Sequence, residues 1–187
     1  MLRLAFPLII VFLGTVQPMA WALTLVKTDI AHARNHYSVE FEVVIDAPAD
    51  AVRARLTDYA HLDRLSPLVT QSRVLETFAD NHQRLELIMR ACVLIFCKTV
   101  KRVTDVTLAE NGDIVTHALP ELSDFAQADE RWRITSEQGR SHLHYHAKIV
   151  PGFFVPPLIG PAILKYKLRS ELETLAARLE RMGGYEH

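Results

Sequence analysis

Tyr37-Ser38-Val39-Glu40-Phe41-Glu42-Val43-Val44-Ile45-Asp46-Ala47-Pro48 is the stretch on which the fold turns. Tyr37, Val39, Phe41, Val43 and Ile45 alternate with Ser38, Glu40, Glu42 and Asp46, a period of two that sends apolar side chains to one face of a strand and polar ones to the other. Pro48 ends the run, because proline offers no N–H to a ladder and restricts the residue before it. The period then changes. Asp50 reads as the cap of a short helix carrying Val52, Leu56 and Tyr59 on one face, and a second helical turn from His61 to Leu65 stops before Pro67. One half-buried strand followed by two short helices opens the domain.

Beyond Pro67 the pattern is β for a long way. Thr70 to Phe78, Gln83 to about Val93, Ile95 to Leu108, Ile114 to Leu119, Phe125 to Ser136 and Ser141 to Val150 read as strands, separated by Asp80-Asn81, Asn111-Gly112-Asp113, Pro120 and Gln138-Gly139. Connections this short join antiparallel neighbours, since a parallel crossover needs a dozen or more residues. Pro151-Gly152 closes the last strand, and Phe153-Phe154-Val155-Pro156-Pro157 forms a stiff apolar link. From Gly160-Pro161 to about Met182, Leu164, Leu168, Leu172, Leu175, Leu179 and Met182 recur at steps of four and three, the stripe of a long helix that Gly183-Gly184 then terminates. The plan is α+β, with a curved antiparallel sheet wrapped around the long C-terminal helix.

The N-terminal end has a different character. Met1 to Ala22 carries one charge at Arg3, an apolar stretch from Leu4 to about Val16, and the small-x-small triplet Ala20-Trp21-Ala22. That is the layout of a cleavable export signal, with an apolar core shorter than a membrane span requires; an uncleaved anchor is the alternative. Residues 23–36 read as a tether or an irregular edge, and 37–184 as one domain. The expected location after cleavage near Ala22 is periplasmic or secreted. A net charge of −1, with both signs interspersed and no basic block, excludes a nucleic-acid partner.

Cys92 and Cys97 are the only cysteines. In an oxidising compartment they are expected to pair, provided that the chain turns between them, because residues five apart on one straight strand stand about 16 Å apart. A pair of buried small hydrophobic residues is the alternative. C-x4-C spacing is not that of a C-x-x-C redox centre.

The run Tyr37 to Val52, with Leu56-Thr57-Asp58-Tyr59 and Leu65-Ser66-Pro67 behind it, resembles the opening of the START-like superfamily known as SRPBCC. That group includes polyketide cyclase/dehydrase-like proteins, coenzyme-Q-binding proteins and lipid-transfer domains. Pro156 to Glu180 is similar to its closing helix. The resemblance implies a helix-grip fold with a deep cavity between sheet and helix, occupied by a lipid, sterol, polyketide or isoprenoid. Fold likeness does not assign a reaction.

A site of that kind is mostly apolar, with a few polar groups for orientation. The candidates for its lining are Leu87 and Met89, Trp132 and Ile134, Leu143, Tyr145 and Ala147, and Leu164, Leu168 and Leu172 on the helix; ordinary core packing accounts for them equally well. Phe96, within the apolar run between the cysteines, and Phe153 and Phe154 in the link are candidates for a greasy mouth in transient contact with a membrane. His142, His144 and His146 share one strand face, opposite Leu143, Tyr145 and Ala147, and are expected to face solvent without holding a metal. Asp58 either orients a ligand or brackets the helical turns, and Arg90, Arg131 and Arg133 either meet an anionic head group or pair across strands. No G-x-S-x-G, H-E-x-x-H, P-loop or dinucleotide fingerprint occurs. The expectation is a binding or carrier protein for a hydrophobic small molecule, without a cofactor. Its rivals are a cyclase/aromatase-type enzyme, which requires two or more titratable side chains converging in the cavity, and a protein-binding module of an envelope complex.

Overall fold

The computed structural model describes residues 24–79, 81–93, 96–156 and 158–183. The expected export signal and Gly184 lie outside the described residues. Among the described residues eight strands, β1 (Thr24–Ala33), β2 (His36–Ile45), β3 (Val69–Ala79), β4 (His82–Val93), β5 (Phe96–Leu108), β6 (Ile114–Ala118), β7 (Phe125–Glu137) and β8 (Arg140–Pro151), accompany two helices, α1 (Ala49–Leu56) and α2 (Gly160–Gly183). Short 3-10 turns lie at Tyr59–Arg64 and Pro120–Leu122. The strands form one curved, open sheet in the order β1-β2-β8-β7-β6-β5-β4-β3, with every neighbouring pair antiparallel. With α2 as the closing helix, this is the helix-grip fold.

Alternation in β2 does what its pattern requires. Tyr37, Val39, Phe41, Val43 and Ile45 are all buried, while Ser38, Glu40 and Glu42 stay partly accessible. The register sets Phe41 opposite Tyr145, Val43 opposite Leu143, and Leu143 opposite Ile134, so one apolar face runs continuously across three strands. Leu172, Leu175, Ala176 and Leu179 of α2 and Val52 and Leu56 of α1 complete the core. Burying each large aliphatic side chain contributes about 1.5–3 kcal/mol. Between β7 and β8, Gln138 and Gly139 have φ of 52° and 79°, the two positive values that a two-residue hairpin turn matched to strand twist demands.

Three local expectations need correction. Of the two readings of the segment before residue 37, the irregular edge holds and the tether does not: Thr24–Ala33 is a ten-residue edge strand on β2, with one register shift between Leu25 and Lys27, so the sheet begins ahead of residue 37. Asp50 is not the cap of α1: Pro48 holds that position, and Asp50 sits in the first turn with its carboxylate 3.1 Å from Arg53 Nη1. Gly183 is still helical, and its missing side chain serves packing, since a Cβ there would lie 2.6 Å from Ala47 Cβ.

These contacts define two ends. Ala47, Ser141 and Gly183 close one end, where the Ser141 hydroxyl donates to the Ala47 carbonyl at 2.6 Å. At the other, Asn35 Nδ2 donates to the Pro151 carbonyl at 3.1 Å, and Lys98 Nζ stands 5.6 Å from the centre of the Phe153 ring. The β4–β5 hairpin and the β8–α2 link therefore share this second end.

Candidate ligand-binding site

The inner face of the sheet carries the proposed lining, and the structure puts every one of those residues on it or on α2. Leu87, Ile134, Leu143, Tyr145, Ala147 and Leu172 are buried; Met89, Trp132, Leu164 and Leu168 are half-buried. Leu143, Ile134, Tyr145, Ala147 and Leu172 belong to the contiguous core, with Trp132, Leu164 and Leu168 packed against it. Leu87 is buried outside that cluster, opposite Arg102 on β5, with Met89 opposite Val100. Apolar residues thus occupy two regions of one face.

A polar cluster lies on the same face. Arg102 Nη1 donates to Glu130 Oε1 at 2.5 Å and Nη2 to Oε2 at 3.3 Å, a two-pronged pair. The Thr116 hydroxyl donates to Glu130 Oε2 at 3.3 Å. Tyr145 adjoins them on the adjacent strand, its ring tilted against Trp132 with centroids 4.0 Å apart. The side chains of Arg102 and Glu130 are only 13% and 8% exposed. Burial acts to lower the Arg102 pKa, and the Glu130 carboxylate outweighs it, so the guanidinium stays charged. Burial, followed by the Glu130 charge, pushes the Tyr145 phenol well above its ordinary value, so it stays protonated.

The cluster is not saturated. Arg102 Nε is buried and has no hydrogen-bond partner among the described residues. An unmatched buried donor costs about 1–3 kcal/mol. Arg102 and Glu130 are not among the expected lining residues, because charged side chains on a strand ordinarily face solvent. The signal that finds them is phase: Arg102 stands in step with buried Val100, Thr104 and Val106, and Glu130 in step with buried Ala128 and Ile134.

The remaining candidates sit elsewhere. His142, His144 and His146 lie on the outer face, within 2.9 Å of Glu137, 2.8 Å of Glu42 and 3.6 Å of Glu40 respectively. No group of three or more metal-ligating side chains poised for an ion occurs among the described residues. Arg131 and Arg133 converge on buried Asp113. Asp58 brackets the first 3-10 turn through His61 Nδ1, 2.8 Å away. Burial raises the Tyr59 pKa to about 12. Cys92 and Cys97 face each other across the antiparallel strands β4 and β5 with Cα atoms 4.0 Å apart and form a disulfide; both are exposed, unlike buried hydrophobic residues. Phe153 packs edge-on against Phe125 with centroids 5.8 Å apart, whereas Phe154 is 81% exposed. The side chain of Phe96 lies outside the described residues. A polar surface groove lined by His61, Ser72, Arg73 and Glu86 opens outside the grip, at the β3 edge.

Residues 36–180 match the family described as polyketide cyclase / dehydrase and lipid transport. The chain belongs to this family. No curated protein sequence matches the chain. Among solved structures, a START superfamily protein from Mycobacterium smegmatis superposes with a TM-score of 0.63 at 20% identity, covering 79% of this chain and 97% of that one. The Zhui aromatase/cyclase from Streptomyces sp. R1128 gives 0.59 at 17%, covering 79% and 90%. A STAR-related lipid transfer protein from Xanthomonas axonopodis gives 0.59 at 18%, covering 84% and 98%. Identities this low establish the shared helix-grip fold of this polyketide cyclase and lipid transport family member and nothing finer.

Proposed function

We propose that this family member binds and carries a hydrophobic small molecule with one oxygen-bearing end, and that it does so in the periplasm or outside the cell. The observation that carries the reading is the Arg102, Glu130, Thr116 and Tyr145 cluster set into an otherwise apolar inner face. A hydroxyl, ketone or carboxyl oxygen of the guest accepts from Arg102 Nε–H while its hydrocarbon body lies against Leu87, Met89 and Trp132. Binding free energy then comes mainly from apolar burial, at about 25 cal/mol per Å², and orientation from the polar contact. The composition of the Met1 to Ala22 segment supports the location.

One observation favours a second reading, a cyclase-type enzyme. Three titratable side chains converge on the inner face, where a purely passive carrier calls for an almost wholly apolar lining. Their protonation favours binding over proton transfer: Arg102 is held charged by Glu130, and Tyr145 is held neutral. Such groups recognise an oxygen and polarise it, and a general acid or base instead needs a pKa near the working pH.

Organic extraction of the purified protein followed by mass spectrometry tests the proposal. The expected result is an oxygenated hydrophobic compound from the wild type that is at least about tenfold depleted in Arg102→Met, a loss of about 1.4 kcal/mol or more. No extractable or bindable compound of this class would falsify the carrier reading. Recovery of a ring-closed or dehydrated form of an added polyketone, dependent on Arg102 and Tyr145, would replace it with the enzyme.

A further inference from the structure

We propose that the end of the domain formed by the β8–α2 link docks on an anionic lipid surface. Phe154, Leu158 and Ile159 are 81%, 96% and 61% exposed, and Tyr166 on the second turn of α2 is 66% exposed. Isolated exposed apolar residues are ordinary, but three large ones within six positions form a patch.

The link is braced in this posture. Phe153 is held against Phe125 and under Lys98. Gly160, buried at the start of α2, is packed so tightly that a Cβ there would lie 2.4 Å from Val155 Cγ1. With both flanks pinned, Phe154, Leu158 and Ile159 are held outward.

Charge identifies the occupant. No acidic residue occurs from Gln138 to Ser170, while Lys148, Lys165, Lys167 and Arg169 do; none occurs from Leu87 to Thr104, where Arg90, Lys98 and Lys101 do. Lys98 stands at the patch through its contact with Phe153, Lys165 and Lys167 follow within two turns of the start of α2, and Arg34 turns the β1–β2 hairpin beside Pro151. Of these cations Arg169 is paired through Nε with Glu173 at 2.8 Å and Lys167 lies near Glu171, so the surround rests on Lys98 and Lys165; Asp124 Oδ2 accepts from the Lys101 backbone N–H at 2.6 Å. A second copy of the chain meeting this surface would bring these lysines against one another. An apolar tip with a basic surround suits a bilayer, the apolar groups entering the acyl boundary and the lysines meeting anionic head groups.

The inference does not depend on the guest in the grip. Its test uses the full chain, expressed with its own N-terminal segment and purified as the host leaves it, with the N terminus established by mass spectrometry. Flotation with vesicles of phosphatidylglycerol and phosphatidylcholine is compared with flotation on phosphatidylcholine alone, at low salt and at about 0.5 M salt, where the Debye length shrinks to a few Å. The expected result is binding to the anionic vesicles that weakens with salt. Joint substitution Phe154→Ser, Leu158→Asp and Ile159→Asp lowers it about tenfold or more, Lys98→Glu with Lys165→Glu lowers it comparably, and Val26→Asp, at another exposed apolar position, leaves it unchanged. Unaltered melting curves show that the variants fold. Absence of wild-type binding, equal binding to both vesicle types, or retention by the triple variant overturns the proposal, as does concentration-dependent self-association abolished by the same three substitutions. Extraction of a guest from the grip proceeds in either case, so the two readings fail separately.

Discussion

Arg102 on β5 and Glu130 on β7 are separated by the whole of β6, yet their side chains meet end to end over Thr116 on the inner face of the sheet. Two strand spacings amount to about 10 Å, a span that only two long side chains lying along the sheet surface can bridge. Breaking such a pair leaves an uncompensated buried charge. Glu130→Gln is therefore expected to cost about 3 kcal/mol or more in urea denaturation, whereas the joint replacement Arg102→Met with Glu130→Leu costs far less because no charge is left behind. Equal losses in the single and double variants would show that the pair holds the fold together and is not reserved for a guest.

The double variant also separates stability from binding. Folded protein that no longer yields the oxygenated guest on extraction is the expected outcome. A double variant that retains its guest in wild-type amount would place the polar contact elsewhere.

Most of the sheet was legible because its turns are short and polar and its strands alternate: the expected Gln83 to Val93 and Phe125 to Ser136 differ from His82–Val93 and Phe125–Glu137 by one residue at an end. β1 was not, for a physical reason. As an edge strand it buries no side chain fully, only Thr28, Ile30 and His32 turn partly inward, and so its sequence has little alternation to show. The candidate site was half legible. Periodicity marks Trp132, Ile134, Leu143 and Tyr145 as inward-facing, but Arg102 and Glu130 are 28 positions apart, and only the strand register brings them together.

Asp113 is buried at the start of β6 and accepts from Arg133 Nε at 3.2 Å, Arg133 Nη2 at 3.0 Å and Arg131 Nη1 at 3.3 Å. The Arg133 hydrogen bonds lead in holding its pKa below the ordinary carboxylate value, against the opposing effect of burial. A depressed folded pKa means that the unfolded chain takes up the proton first. The stabilisation is therefore present above about pH 4 and is lost as pH falls through the folded value. Asp113→Asn is expected to be less stable than the wild type at pH 7 and to lose less on acidification to about pH 2. Parallel stability profiles would mean that Asp113 contributes nothing to acid sensitivity.

Glu180 on α2 runs the other way. It is 7% exposed, its Oε1 has no hydrogen-bond partner among the described residues, and burial, then the Asp46 charge, raises its pKa. With a raised folded pKa the native state binds the proton first, so stability falls as pH rises from about 4 through the folded value. Glu180→Gln removes that penalty. It is expected to raise the melting temperature by about 2–4 °C at pH 7, with the advantage vanishing at about pH 3, where the wild-type carboxyl is already neutral. Scanning calorimetry at both pH values measures this, and a variant less stable at pH 7 would show that the charge is matched in solution.

The Cys92–Cys97 bridge closes a short loop, five positions apart in sequence, across two strands that are already paired. Loop-closure entropy grows only with the logarithm of length, so a cross-link this local constrains the unfolded chain weakly and stabilises by about 2 kcal/mol at most. Reduction, or joint replacement of both cysteines by alanine, is expected to lower the melting temperature by a few degrees and leave the far-ultraviolet spectrum unchanged. The local effect is larger. Amide exchange should accelerate at Ala91 to Cys92 and Cys97 to Thr99, the exposed end of the hairpin, and stay slow at Leu85 and Val106 in the core. Uniform acceleration through β4 and β5 would mean that the bridge supports the whole sheet and not the hairpin end alone.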